Sequence, residues 1–599
     1  MLSAHPEEQL TIIPVKSAGD KGDFYAYFSD ASKITVNIPA TVPVGQYTLD
    51  LRVDDNVVTH FSEPFIVLFN PWSPEDTVFL DNETLRKEYV LEENGLIWRG
   101  SANENGPCSW NFAQFQKTIV IATLRLLEAV SIDDRANPAV VTRRLTVLEN
   151  DKVLYGNWSG NYAGGSSPSS WTGSKEIISQ FYQTGKPVKF GQCWVFSGVL
   201  TTLCRSIGIP CRSVTNFESA HDTNFNRVVD KYYVPDGTLD KEKTNDSVWN
   251  FHVWNDAWFS RPDIPDKRFS GPGWQAIDAT PQEKSDGEYQ TGPCPLAAIK
   301  EGTEVPFDWK FIFGEVNADV RHYVKSQTGE YKLVQTETAS VGKNMSTKAV
   351  GRMQKEDVTL QYKYPEGSKE ERTAFGAEEA NKELLVFGRM EVPEVQTGQD
   401  VPVSIFLKAT KETGEEKTVK ILVKATVVSY TGKERGVIIN SNHDIKIPGD
   451  ASEIELTLKI ASEHYLPYAS EHFSINLQLF IFSDKDAEVD SLITKRFSLK
   501  DQLPTIDAPE KVGVNEPGNV TIQYTNPLST PLTNLFFSIE GSGLVSHTKT
   551  KPKTLAPGET TSESISLKGP KKVGERVIKV LVSSKELETV FNYKSVTVF

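Results

Sequence analysis

Lys189-Phe190-Gly191-Gln192-Cys193-Trp194-Val195-Phe196-Ser197-Gly198 sets a cysteine behind a Gly-Gln pair and in front of an apolar run. Val195, Phe196, Val199, Leu200 and Leu203 recur at helical spacing. Gly208 and Pro210 then end the run, as helix-stopping residues do. The pattern predicts a helix over 193–206 with Cys193 in its first turn. Free backbone N–H groups and the positive end of the helix dipole favour a thiolate there. The plainer alternative is a buried, inert core cysteine.

A thiol nucleophile needs a base, and the base needs an orienting group. Val248-Trp-Asn-Phe-His-Val-Trp-Asn-Asp-Ala-Trp-Phe259 is β-branched and aromatic, and reads as a strand carrying His252. Gly273-Trp-Gln-Ala-Ile-Asp-Ala-Thr-Pro281 reads as a second strand, carrying Asp278. An ionised carboxylate in an apolar strand is costly unless paired, and an imidazole N–H is a natural partner. Taken singly, His252 is a hydrogen-bonded core histidine and Asp278 a strand-end cap. Taken jointly, a cysteine at a helix start followed by a histidine and an aspartate on strands has the layout of papain-like thiol chemistry.

The 599 residues exceed what one core can hold, so several domains are expected. With 38% hydrophobic and 24% charged residues the composition is that of a soluble globular protein. A net charge of −15 argues against a nucleic-acid footprint, which is basic. No apolar run reaches the length of a transmembrane segment, and the start lacks the charged and apolar regions of a signal peptide. The five cysteines (Cys108, Cys193, Cys204, Cys211, Cys294) are odd in number and confined to the first half, which is no disulfide framework. A reducing compartment follows, and a cytoplasmic location is expected, with export by a route needing no signal peptide left open.

Five segments are expected. Residues 1–70 alternate as short strands and read as an N-terminal β-sandwich, apparently abbreviated. Residues 71–375 hold every tryptophan and cysteine and read as an α+β catalytic core with helices near 114–130 and 193–206. Residues 376–388 are a charged linker. Residues 389–500 and 501–599 are almost free of helical pattern and read as two immunoglobulin-like β-sandwich or barrel domains. The fold class is multidomain α+β.

Further motifs join the cysteine segment: Leu68-Phe-Asn-Pro-Trp72, Trp249-Asn-Phe-His-Val-Trp-Asn255, Gly273-Trp-Gln-Ala-Ile-Asp-Ala-Thr-Pro-Gln-Glu283, Phe313-Gly-Glu-Val-Asn-Ala-Asp319 and Tyr364-Pro-Glu-Gly-Ser368. Together they resemble the animal transglutaminases over nearly the whole chain, the epidermal and tissue enzymes above all. The resemblance implies that Cys193 attacks the carboxamide of a protein-bound glutamine, releases ammonia and forms a thioester. A lysine or polyamine amine then takes the acyl group and an isopeptide cross-link results. His252 would move protons and Asp278 hold its tautomer. It also implies that the Trp158 indole N–H stabilises the oxyanion and that Trp249 walls the amine tunnel. The alternatives are a catalytically idle scaffold member of the family, or a thiol hydrolase or deamidase.

Oxygen ligands cluster as Ca²⁺ requires. Asp222, Asn224, Asn226 and the Val228 carbonyl alternate along one loop, with Asp246 downstream. Asn317, Asp319, Glu366 and Glu371, with the Thr338 carbonyl, form a second set, and both sets match family calcium positions. A third, Asn150 and Asp151, matches poorly, because Thr146 and Leu148 stand where the family has asparagines. The family's inactive form covers the cysteine with a tyrosine of the first barrel, and Tyr465 is the candidate. The short linker implies switching by calcium without proteolysis. The residues leave a guanine-nucleotide site undetermined.

Overall fold

The computed structural model describes all residues except 1, 5–8, 12, 17–21, 31–32, 54–55, 377–385, 413, 483–487, 542, 572 and 588. Most of the expected linker therefore lies outside the described residues, and the strand Val386–Glu391 begins inside the stretch read as linker.

The core is built on a six-stranded antiparallel sheet. Its spatial order is Thr291–Pro295, Gly273–Asp278, Ser247–Phe259, Cys211–His221, Lys343–Lys348 and Lys355–Asp357. The helix Cys193–Ser206 lies against it, and every residue of that helix is buried. Among the bonds that fix helix to sheet, the Ser197 hydroxyl donates to the Trp254 carbonyl at 2.9 Å, and the Asn255 amide donates to the Ser197 carbonyl at 2.9 Å. Gly198 has to be glycine, because a Cβ there would stand 2.3 Å from the Trp110 ring. The chain leaves the helix through Gly208 at φ 91°, a conformation that glycine adopts freely.

Strand register explains how His252 and Asp278 meet. Asn255 faces Ile277 across the antiparallel pair. One further step sets Asp278 beside Trp254, two residues from His252. Side chains alternate along strands, so His252 and Asp278 share a face as diagonal neighbours.

A separate three-stranded sheet, Val228–Tyr233, Asp319–Lys325 and Tyr331–Glu337, carries the acidic clusters at one end. Val228 pairs with Asp319 and Val320 with Glu337. Farther along, Tyr233 packs edge-on against Phe480 of the first barrel, ring centroids 5.7 Å apart.

Both C-terminal domains are two-sheet structures with their own apolar cores. In the first, Val401–Ala409 alternates buried positions with more exposed ones, as a strand with one face in the core does. The N-terminal segment carries a small core of Ile13, Ala26, Val42, Tyr47 and Val67 between a four-stranded and a two-stranded sheet. Among the described residues no helix is long and apolar enough to cross a membrane.

Candidate active site

Cys193 is the first residue of its helix, and Gln192 precedes it as N-cap without donating or accepting a side-chain cap bond. The position is the one the sequence predicts, yet its electrostatic consequence is reversed. The side chain is wholly buried, and burial pushes the thiol up to about 12, with the Asp278 charge adding to it. Backbone N–H groups of Val253 and Trp194 pull the other way and lose. In this closed arrangement desolvation outweighs the helix N-terminus.

His252 and Asp278 form the expected pair, Nε2 to Oδ2 at 2.7 Å. Asp278 also accepts the Thr280 N–H at 2.8 Å, which fixes the carboxylate plane. The second imidazole nitrogen, Nδ1, is buried without a partner. Two residues absent from the sequence reading complete the surroundings. The Gln282 amide lies 2.8 Å from His252 Nε2, 3.3 Å from Asp278 Oδ2 and 2.9 Å from Glu315 Oε1. Glu315 Oε1 is 3.7 Å from His252 Nε2, and burial with the Asp278 charge raises its carboxyl well above the usual range. A neutral Glu315 leaves the imidazole one anionic partner, Asp278. His252, Asp278 and Glu315 could in principle converge on a metal. A histidine with two carboxyls falls short of the oxygen-rich cage calcium takes.

Trp158 stacks on Phe196 at 6.5 Å with planes 3° apart, and its indole N–H is buried without a hydrogen-bond partner. Gly156 permits this, because a Cβ there would lie 2.5 Å from the Trp158 ring. Trp249 stands edge-on to His252 at 5.2 Å. Its other side meets His221 at 6.0 Å, and His221 Nε2 pairs with Glu283 at 2.8 Å. This second histidine–carboxylate pair was not singled out from the sequence, though Glu283 ends a motif that was.

The covering tyrosine is Tyr430, and this corrects the assignment of Tyr465. The Tyr465 hydroxyl bonds Gly398 N and Gln399 O, both at 2.8 Å, inside the first barrel's own core. Tyr430 sits at the tip of the hairpin joining Lys417–Val428 and Glu434–Ile447. It stacks on Phe251 at 4.9 Å, lies 6.2 Å from Trp194, and donates its hydroxyl to Gln192 Oε1 at 2.9 Å. The Asn250 N–H binds the Tyr430 carbonyl at 2.6 Å, so the hairpin is anchored to the strand that carries His252.

The first cation cluster is a hydrogen-bonded loop whose carboxylates do not, among the described residues, close on a common point. Asp222 accepts the Asn224 and Arg227 N–H groups at 3.1 and 2.6 Å, and Asn226 Oδ1 accepts the Val228 N–H at 2.7 Å. Asp246 accepts the Thr223 hydroxyl at 2.7 Å and the Asp230 N–H at 3.0 Å. Asp230, missed in the sequence, contributes a buried Oδ1 with no partner. Burial, then the Asp246 charge, raises the carboxyls of both Asp222 and Asp230. Such an excess of negative charge with an orphaned oxygen fits a divalent cation.

The second cluster is differently charged. Asn317 donates to Glu371 at 2.8 Å, Arg372 reaches Glu371 at 2.5 Å and Asp319 at 2.9 Å, and Lys363 holds Glu366 at 2.6 Å. Sheet register sets Thr338, just past Glu337, beside Asp319. Arg372 and Lys363 already neutralise these carboxylates, and among the described residues their oxygens do not close on a common point. The third set does not converge. Asp151 is exposed and Asn150 half-buried, in a short turn after the helix Pro138–Leu148. Its neighbour Glu149 is fully buried with both oxygens unpartnered, and points to no oxygen cage.

Comparison with known proteins places this geometry. Residues 152–279 match the transglutaminase-like superfamily, and 505–599 match the C-terminal ig-like domain of the transglutaminase family. Human protein-glutamine gamma-glutamyltransferase 4 is 36% identical, over 98% of this chain and 89% of its own length. The mouse protein-glutamine gamma-glutamyltransferase E is 38% identical over 86% of this chain and 78% of its own. Annulin of Schistocerca americana is 37% identical over 94% and 76%. The crystal structure of red sea bream transglutaminase superposes with a TM-score of 0.86 at 32% identity, covering all of this chain and 92% of that one. The chain belongs to the transglutaminase family and is an enzyme of the protein-glutamine gamma-glutamyltransferase class.

Proposed function

We propose that this chain performs calcium-dependent acyl transfer from protein glutamine side chains to lysine or polyamine amines through a Cys193 thioester. The observation that carries the reading is the buried His252–Asp278 pair, which leaves Nδ1 without a partner, together with the buried, unpartnered Trp158 N–H.

With the hairpin tip withdrawn, the glutamine carboxamide approaches Cys193. His252 takes the thiol proton, and Asp278 stabilises the imidazolium that forms. The Trp158 indole N–H and the Cys193 backbone N–H hold the oxyanion, a contribution of about 3 kcal/mol per donor. His252 returns the proton to the departing ammonia. The incoming amine enters along Trp249, where the His221–Glu283 pair is placed to take its proton. Aromatic walls keep water out, which is what allows an amine to compete.

Asp222, Asn224, Asn226, Asp246 and the Val228 carbonyl, with Asp230, would hold calcium, which supplies charge that the crowded carboxylates lack. Asn317, Asp319, Thr338, Glu366 and Glu371 form a site whose loading has to displace Arg372 and Lys363. Both clusters lie at one end of the sheet whose Tyr233 packs on the first barrel. That connection supports coupling between the cation loops and the Tyr430 hairpin.

The test is incorporation of a labelled primary amine into casein, with calcium or with chelator, for wild type and Cys193→Ala. Thiol-dependent incorporation that needs calcium is expected. Equal incorporation with chelator would remove calcium from the reading. Glutamine deamidation without incorporation would replace transfer by hydrolysis.

A further inference from the structure

A second cysteine has the surroundings of a reactive group and no part in the transfer reaction. Cys108 lies in the core strand Asn105–Asn111, and Lys579 in the strand Gly574–Ser583 of the last barrel. The Lys579 ammonium meets the Cys108 sulfur at 2.9 Å, across the boundary between the two domains. Both side chains are buried, at 1% exposure each.

The pair sits under a second cation. The Arg99 guanidinium lies 4.6 Å over the Trp194 ring and 4.7 Å over Phe591, and bonds Ser169 at 3.0 Å. Burial pushes the Cys108 thiol up, but the Lys579 and Arg99 charges outweigh it and hold it below the ordinary cysteine range. Cys294, equally buried without an amine against its sulfur, is pushed up. A cavity of about 30 Å³, lined by Ser109, Trp110, Val577 and Lys579, opens on the lysine side of the pair and has room for a very small molecule.

A buried amine in contact with a thiolate-prone sulfur is arranged for one chemistry beyond an ion pair. We propose that Cys108 and Lys579 form a covalent sulfenamide under peroxide, tying the catalytic core to the last barrel. The Cys108 thiolate attacks one oxygen of a peroxide, the O–O bond breaks, and sulfenic acid and hydroxide result. Lys579 gives a proton to that hydroxide, forming the first water and leaving a neutral amine beside the sulfur. Its nitrogen lone pair attacks sulfur, the S–O bond breaks, and the hydroxyl leaves as water with an amine hydrogen. For hydrogen peroxide the balance is one thiol, one amine and one peroxide giving one sulfenamide and two waters. A thiol reductant reverses the link by exchange at sulfur.

The test uses the full chain carrying Cys193→Ala, so that the nucleophile's own oxidation does not intervene. It is exposed to a stepwise hydrogen peroxide series, alkylated, digested and mapped by mass. The expected product is a linked peptide pair containing Cys108 and Lys579, two hydrogens lighter than the sum and abolished by reductant. Adding Cys108→Ser removes it. Adding Lys579→Arg, which keeps the buried cation and the fold, also removes it and leaves a Cys108 sulfenic acid that dimedone captures. Full alkylation of denatured Cys108 after peroxide, or a Cys108 sulfinic acid with Lys579 open to trypsin, would overturn the proposal.

Discussion

The two histidines that flank Trp249 are held by carboxylates at nearly equal distances, in unlike surroundings. His252 meets Asp278 at 2.7 Å with side chains 1% and 4% exposed, whereas His221 meets Glu283 at 2.8 Å with 19% and 28% exposed. The Trp249 ring stands between them, 5.2 Å from one and 6.0 Å from the other. Coulomb attraction strengthens as water is excluded, so the dry pair can fix a tautomer and stabilise an imidazolium. The wetter pair is screened by solvent and gains less from its charges. The proposed mechanism divides identical chemistry by burial, with thiol and leaving group on one side of Trp249 and incoming amine on the other.

The division predicts unequal losses. His252→Ala should lower amine incorporation by ~10⁴-fold or more, as removal of a triad base does. Asp278→Asn should cost about 10⁴-fold, because the neutral amide turns the imidazole to the wrong tautomer. Single-turnover thioester formation with a chromogenic glutamine-type ester reads both. Comparable losses at His221 in that acylation assay would erase the distinction between the pairs.

The next effect concerns the cations rather than the histidines. Asp246→Ala should raise the calcium needed for half-maximal activity about 10- to 100-fold, the usual cost of damaging a metal site's support. Asp151→Ala should leave it unchanged, because that exposed carboxylate converges with no other oxygen ligands. Calcium titration of amine incorporation separates the two, and a shift at Asp151 would restore the third site.

Much of this was legible in the chain. Cys193, His252 and Asp278 announce themselves because each stands in a segment whose local pattern fixes a helix start or a strand. Asp222, Asn224 and Asn226 are legible for the same reason, as alternate positions of one loop. What stayed hidden is long-range. Tyr430 and Tyr465 are both tyrosines of the first barrel, and only the packing of a hairpin tip 238 residues from Gln192 tells them apart. Gln282 and Glu315 lay inside quoted motifs, yet their roles come from three elements converging on one imidazole. The burial that defeats the helix N-terminus at Cys193 belongs to the assembled domains.

His221→Ala should cost about 10-fold, chiefly as a higher KM for the amine, since general-base assistance from a solvent-exchanging group is readily replaced by water. Steady-state incorporation at varied amine concentration, beside unchanged acylation, is the measurement. A fall in acylation instead would assign His221 to the glutamine side.

The smallest effect tests why the dry pair has one anion and not two. Glu315 is buried beside Asp278, and its carboxyl is raised well above the usual range. Above the ordinary carboxyl range the unfolded chain has released this proton while the folded chain keeps it. Stability therefore falls as pH climbs through that window, by about 1.4 kcal/mol per pH unit for one such group, and is fully retained below it. Glu315→Gln keeps the shape and the contact with Gln282 but removes the titration. Urea unfolding of wild type and Glu315→Gln at several pH values above about 5 should show the variant gaining on the wild type as pH rises. Parallel curves would mean that Glu315 is ionised in the folded enzyme. His252 would then be flanked by two anions, and its tautomer would no longer be set by Asp278 alone.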